Sequence, residues 1–245
     1  MSMILNPYWY VTEGGGGGAT PPVTSNLILN WDAREVTVAD GAIIQTGDWF
    51  DLSVVSNHPI NNSGSSNSPH YRATGGPSGL PSVEFNGDVT NGFFALTSGI
   101  APSDFTMFAV CKPFDSNPRT LICGPAGSFQ YRIYLLKQDI VRSAVTDYGS
   151  SSTSLSTSVF QQINMTFNNA SRAFAFRLSQ AADRSGTGGG SSSYASMNNV
   201  GWNEGEVITH EPWRGFLSHL LIYNTLLSGG DITSVESWLN GEWGV

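Results

Sequence analysis

The chain has 245 residues, 40% of them hydrophobic and only 12% charged, with a formal net charge of −8. That length allows one or two domains with a sizeable core, and the charged share is about half the usual ~25%. Acidity and the presence of only two lysines argue against binding nucleic acid through its phosphates, and against anionic membranes.

Residues 1–12 are apolar and aromatic, and the five glycines Gly14–Gly18 and the pair Pro21-Pro22 follow. Pro7 and Glu13 interrupt the first apolar run, and no basic residue precedes it, so the segment does not read as a secretory signal. It reads as an arm (1–12) on a Gly/Pro-rich linker (13–26), leaving one domain over 27–245. Two roles stay open for the arm. It packs back on its own domain as an extra strand, or it docks on another protein by burying Ile4, Leu5, Tyr8, Trp9 and Tyr10, since aromatic residues are common interface anchors.

Runs of alternating or continuous apolar residues predict strands near 27–31, 41–46, 82–86, 92–97, 104–112, 119–123, 129–136, 139–145, 159–167 and 172–179. The turn between 129–136 and 139–145 is expected near Lys137-Gln138-Asp139, and the one before 172–179 at Asn168-Asn169. Stretches rich in Ser, Asn, Gly and Pro at 56–79 and 183–194 read as loops. Near the C-terminus, Phe216–Tyr223 is apolar on both alternating faces, with Phe216, Leu220 and Ile222 on one and Leu217, Leu221 and Tyr223 on the other. This suits a buried strand. A short helix follows, with Ser228 as N-cap, Asp231 three positions on, Ile232, Val235, Trp238 and Leu239 on one face, and Asn240-Gly241 as its stop. No stretch reaches the ~20 apolar residues of a membrane helix.

Leu27–Ala33 (with Trp31-Asp32-Ala33), Trp49–Leu52, Leu80–Gly87, Phe105–Val110 and the closing strand and helix resemble, in that order, laminin-G-like and concanavalin A-like domains. The resemblance implies an all-β fold, a two-sheet antiparallel jelly-roll sandwich with one short C-terminal helix and a detached N-terminal arm. It also implies rim-loop calcium, for which Asp88, Asn91, Asp147 and Asn203 offer oxygens; Asp88 and Asp147 are the acidic pair. Ile4-Leu5-Asn6-Pro7-Tyr8 ahead of polyglycine resembles the starts of tailed-bacteriophage structural proteins. That resemblance implies a virion protein on the capsid or tail surface, with other virion proteins as partners of the arm.

Catalytic strings are not found. The glucanases of this fold carry a Glu-x-Asp-x-x-Glu strand, which is missing here, and Glu204-Gly205-Glu206 reads as a solvated loop pair rather than a catalytic one. The expectation is therefore a non-enzymatic protein that displays a jelly roll and holds host-surface glycans weakly. Its glycan contacts would come from Tyr148, Tyr194, Trp202 and Asn203. The alternatives are a stand-alone carbohydrate-binding module, or a glycan hydrolase or lyase with unusual residues. His58, His70, His210 and His219 lack ligand spacing, and His219 is expected to be a hydrogen-bonded core residue. Cys111 and Cys123 form either a cross-strand disulfide or two buried thiols. Asn61, Asn164 and Asn169 match the N-glycosylation pattern.

Overall fold

The computed structural model describes residues 19–61, 68–86, 92–117, 119–124, 129–134, 137–142, 146–188, 197–201 and 211–245. In chain order the strands are β1 (Leu27–Asp32), β2 (Pro59–Ile60), β3 (His70–Arg72), β4 (Ser82–Asn86), β5 (Phe94–Ile100), β6 (Asp104–Pro113), β7 (Arg119–Cys123) and β8 (Phe129–Tyr134). They continue with β9 (Lys137–Arg142), β10 (Thr146–Ser150), β11 (Gln161–Asn168), β12 (Ala173–Leu178), β13 (Ala181–Thr187), β14 (Met197–Val200), β15 (Glu211–Pro212) and β16 (Arg214–Tyr223). One helix, α1 (Gly229–Trp243), closes the chain.

These strands form the expected two-sheet sandwich. The first sheet runs β13-β12-β11-β6-β16-β4-β3, with β1 also on β16; the second runs β10-β9-β8-β7-β14-β5-β2, with β15 on β7. Pairing is antiparallel except for the short β15–β7 contact. The buried side chains of both sheets form one continuous core.

β16 is the strand on which the first sheet is built. It pairs with β6 along its length, with β4 through Arg214–Leu217 and with β1 through His219–Tyr223. A strand with partners on both edges and cover on both faces needs a continuous apolar run, and Leu217 to Tyr223 are all buried. A register shift at Ser218 changes the face assignment expected from simple alternation. Leu217, Leu220 and Ile222 pair with Cys111, Ala109 and Met107, residues two apart that share the inner face. Phe216 joins Leu221 and Tyr223 on the outer face, opposite Lys112, Phe108 and Thr106. The extra residue of a bulge reverses parity, which alternation cannot foresee.

The two tryptophans of the N-terminal pattern meet in the core. Trp31 and Trp49 lie 5.0 Å apart, and Phe94 packs edge-on to both at 6.0 and 5.8 Å. Each indole is satisfied as it is buried. Trp31 Nε1 donates to the Asn57 carbonyl at 3.1 Å, and Trp49 Nε1 to the Asp32 carbonyl at 2.7 Å. Such pairs contribute about 0.5–1.5 kcal/mol each beyond area burial.

Several expected boundaries are corrected. No strand forms over 41–46, where Ile43 makes only an isolated bridge to His70. Lys137-Gln138-Asp139 lies within β9, not in a turn, and the connection falls at 135–136. The stretch read as a loop from 183 begins inside β13, a solvent-exposed edge strand. Asn240-Gly241 does not stop α1; the helix continues to Trp243 and ends on Gly244 in the left-handed conformation (φ 68°). At its other end Ser228 accepts from the Asp231 N–H at 3.2 Å, as the capping pattern predicts, and its hydroxyl donates to the Asp231 carboxylate at 2.8 Å.

Candidate functional site

The arm residues Ile4, Leu5, Tyr8, Trp9 and Tyr10 lie outside the described residues, as do Asp88, Asn91, Tyr194, Trp202, Asn203, Glu204, Glu206 and His210. Asp147 and Tyr148 fall in β10, at the outer edge of the second sheet. Gly201, the last described residue before Trp202, directly follows β14, which lies four strand positions from β10 across that sheet, about 19 Å at the usual strand spacing. The structure therefore does not bring Asp147 and Tyr148 to the stem of the Trp202 segment. Trp213, the first tryptophan after Trp202, is fully buried. Among the described residues no group of three or more His, Cys, Asp or Glu side chains is placed to hold a metal ion.

Cys111 and Cys123 are buried on opposite sheets and are not bridged. Burial pushes the Cys111 thiol up to about 12. His58 Nδ1 accepts from the Asp51 N–H at 2.9 Å, which commits that ring to the loop it stands on.

His219 is the core residue expected. Trp243 Nε1 donates to its Nδ1 at 3.1 Å, which leaves Nε2 to donate to Asn30 Oδ1 at 2.9 Å. Trp238 packs on the ring edge-on at 5.4 Å. Burial, against the opposing pull of Asp32, pushes the imidazole down to about 4, so the ring is neutral at pH 7. Beside it Arg34 holds Asp32 through Nε and Nη2 and reaches Glu242 at 2.6 Å. These contacts tie the last turn of α1 to β1 and β16.

The same outer face carries a hollow of about 320 Å³, more apolar than polar in its exposed lining, between the start of α1 and strands β11, β12 and β13. Its lining includes Asn164, Thr166, Ala175, Arg177, Asp183 and Ser185, with Ile232 on the helix side. The register explains the grouping. Asn164 pairs with Arg177, Thr166 with Ala175, and Ala175 with Ser185, so these side chains share one face. Most of the lining is fixed by other partners. Arg177 binds Glu236 in a forked pair at 2.7 and 2.8 Å, and that pairing raises the guanidinium pKa further. Burial alone would raise the Asp183 carboxyl, but donors from Ser152 and Thr153 hold it below the usual carboxylate range. Asn164 differs. Its amide nitrogen donates to the Met107 carbonyl at 2.9 Å, while Oδ1 is buried without a hydrogen-bond partner among the described residues. A buried acceptor left so costs about 1–3 kcal/mol.

None of these lining residues was singled out from the sequence as a ligand contact. A signal was present, because polar Gln162, Asn164 and Thr166 alternate with apolar Ile163, Met165 and Phe167. That period of two marks a strand whose outer face carries polar groups.

Comparison with known proteins finds no matching family model and no curated protein of similar sequence. Solved structures share the fold. Domain 4 of AbnA, a GH43 extracellular arabinanase from Geobacillus stearothermophilus, in complex with arabinotriose, is 12% identical with a TM-score of 0.60, over 87% of this chain and 100% of that one. The binding domain of botulinum neurotoxin DC in complex with SialylT is 9% identical with a TM-score of 0.62, over 89% of this chain and 52% of that one. A heptameric SAP-like pentraxin from Limulus polyphemus is 16% identical with a TM-score of 0.51, over 63% of this chain and 81% of that one. The chain has a two-sheet jelly-roll sandwich. At these identities the likeness concerns the fold alone.

Proposed function

We propose that this chain is a non-catalytic carbohydrate-binding module whose ligand enters the hollow at Asn164. The observation that carries this reading is the buried Asn164 amide oxygen, unpartnered among the described residues, at a hollow that sets the hydroxyls of Thr166 and Ser185 among apolar Ala175, Phe176 and Ile232. Sugar hydroxyls supply the donor that Asn164 lacks, and Thr166 and Ser185 offer paired donor and acceptor hydroxyls. Two neighbours in fold were solved with arabinotriose and with SialylT, which supports a saccharide as the class of ligand. Binding without cleavage is favoured by the charge count of the hollow. Among the described residues Asp183 is its one carboxylate and is already held by four donors, whereas glycoside hydrolysis needs two carboxyl groups about 5–9 Å apart.

The test is an array of neutral and sialylated oligosaccharides probed with the full chain, repeated with Ala175→Trp to fill the hollow. Binding that the substitution abolishes is expected. Binding to no saccharide, binding indifferent to the substitution, or release of new reducing ends would each overturn the reading.

The aromatic arm ahead of five glycines favours a second reading of where the module works. In it the arm anchors the module to capsid or tail proteins on a bacteriophage surface, and the sandwich is displayed outward. Antibody labelling of particles purified from the source, with and without residues 1–12, decides this. Label that the deletion removes is expected; unlabelled particles would sink it.

A further inference from the structure

The loop that follows Trp49 holds apolar side chains out in water on a rigid frame. Six large hydrophobic side chains are exposed among the described residues, and four of them fall within six positions: Phe50 (42%), Leu52 (44%), Val54 (95%) and Val55 (47%). A floppy loop would fold such groups inward, but this one is held. The buried Asp51 carboxylate accepts from Asn30 N at 2.8 Å, Ser53 N at 2.9 Å, Ser53 Oγ at 2.7 Å and Asn57 N at 2.6 Å. Exposed apolar groups clustered on a fixed frame mark an interaction surface.

What covers it is indicated by where the described chain begins. Ala19, Thr20 and Pro21 line a hollow of about 330 Å³ together with Leu52, Ser53 and Val54. The chain just after them is pinned, because Tyr223 Oη donates to the Val23 carbonyl at 2.9 Å. Ala19, the first described residue, thus lies at this patch, and the sequence ahead of it carries Tyr8-Trp9-Tyr10 and then Gly14–Gly18. From Tyr10 to Ala19 is nine residues, at most about 30 Å extended and about 16 Å as a flexible glycine-rich coil. A tether of that length gives a local concentration in the mM range, which outcompetes a second copy of the chain at µM concentration by about a thousandfold.

We propose that Tyr8, Trp9 and Tyr10 of the same chain cover the apolar patch formed by Phe50, Leu52, Val54 and Val55. The patch is the resting position of the segment in a protein that no partner holds, so the inference is independent of any virion role and of the saccharide reading.

Cysteine cross-linking of the full chain at low µM concentration tests it. Val11→Cys with Val54→Cys leaves the three aromatics intact and alters an exposed position, while the native thiols are buried. The control is Val11→Cys with Thr37→Cys, an exposed site off the patch, two residues from Glu35 of the same hollow. An intramolecular disulfide forming at least tenfold faster with position 54 than with position 37 is expected, and Trp9→Ala should abolish the difference. Equal rates at the two positions, a rate unmoved by Trp9→Ala, or a disulfide-linked dimer as the main product would each overturn the proposal.

Discussion

His219 is a neutral imidazole locked between Asn30 and Trp243. Its folded pKa of about 4 lies below the ordinary 6.5, so as the pH falls the unfolded chain takes up the proton first. The stabilisation is complete above pH 6.5 and drains away between there and pH 4, about 3 kcal/mol in all. Urea midpoints measured from pH 7 to pH 4 should show that slope, and His219→Gln should flatten it while lowering stability throughout; an unchanged slope in the variant would assign it to other groups. Gly201 makes a different demand. Its φ of +94° suits glycine, and a Cβ there would sit 2.6 Å from Phe85 Cε1. Gly201→Ala should therefore cost about 2 kcal/mol or more, read as a lower thermal midpoint. The two cysteines predict indifference. With no bridge between them, a reductant should leave the melting temperature unchanged, and a thiol reagent should label neither until the protein unfolds.

At the scale of elements, α1 is held by its cap and by two ion pairs, Arg34–Glu242 and Arg177–Glu236. Ser228→Ala should cost about 1 kcal/mol. Arg177→Ala should cost more, about 3 kcal/mol, because Glu236 is 1% exposed and would be left charged without its partner. Chemical denaturation of the two variants checks the order, and a smaller loss for Arg177→Ala would mean that water reaches Glu236. Elements with local causes were legible in the sequence. Ser228 and Asp231 announced the start of α1, and Trp31 and Trp49 announced the opening of the sandwich. The parity of β16 was hidden because a bulge depends on the partner strand, and Phe216 and Leu217 look alike without it. Strand β13 was hidden because its Ala181–Thr187 sequence is polar and exposed on both faces, and only pairing with β12 makes it a strand. The hollow was hidden for the same kind of reason. Asn164 and Ile232 stand far apart in the chain, and only the crossing of α1 over β11 joins them.

On the whole-molecule scale the fold depends on contacts distant in sequence. Strand β1 cannot pair until β16 exists, although nearly the whole chain separates them. Closing such loops before any reward makes folding slow. Refolding from urea, followed by tryptophan fluorescence, is expected on a scale of milliseconds to seconds, and a microsecond phase carrying the full amplitude would contradict it.

That pairing has a further consequence. Arg34, just past β1, bonds to Glu242 in the last turn of α1, so the end of the helix closes on the far end of β1, about 17 Å along the strand from Leu27. A circular permutant follows from this. Residue 245 could be joined to residue 27 by a linker of about ten residues that runs the length of β1, with new termini opened at the Ser179-Gln180 turn, where Ser179 is exposed, and the sandwich should still assemble.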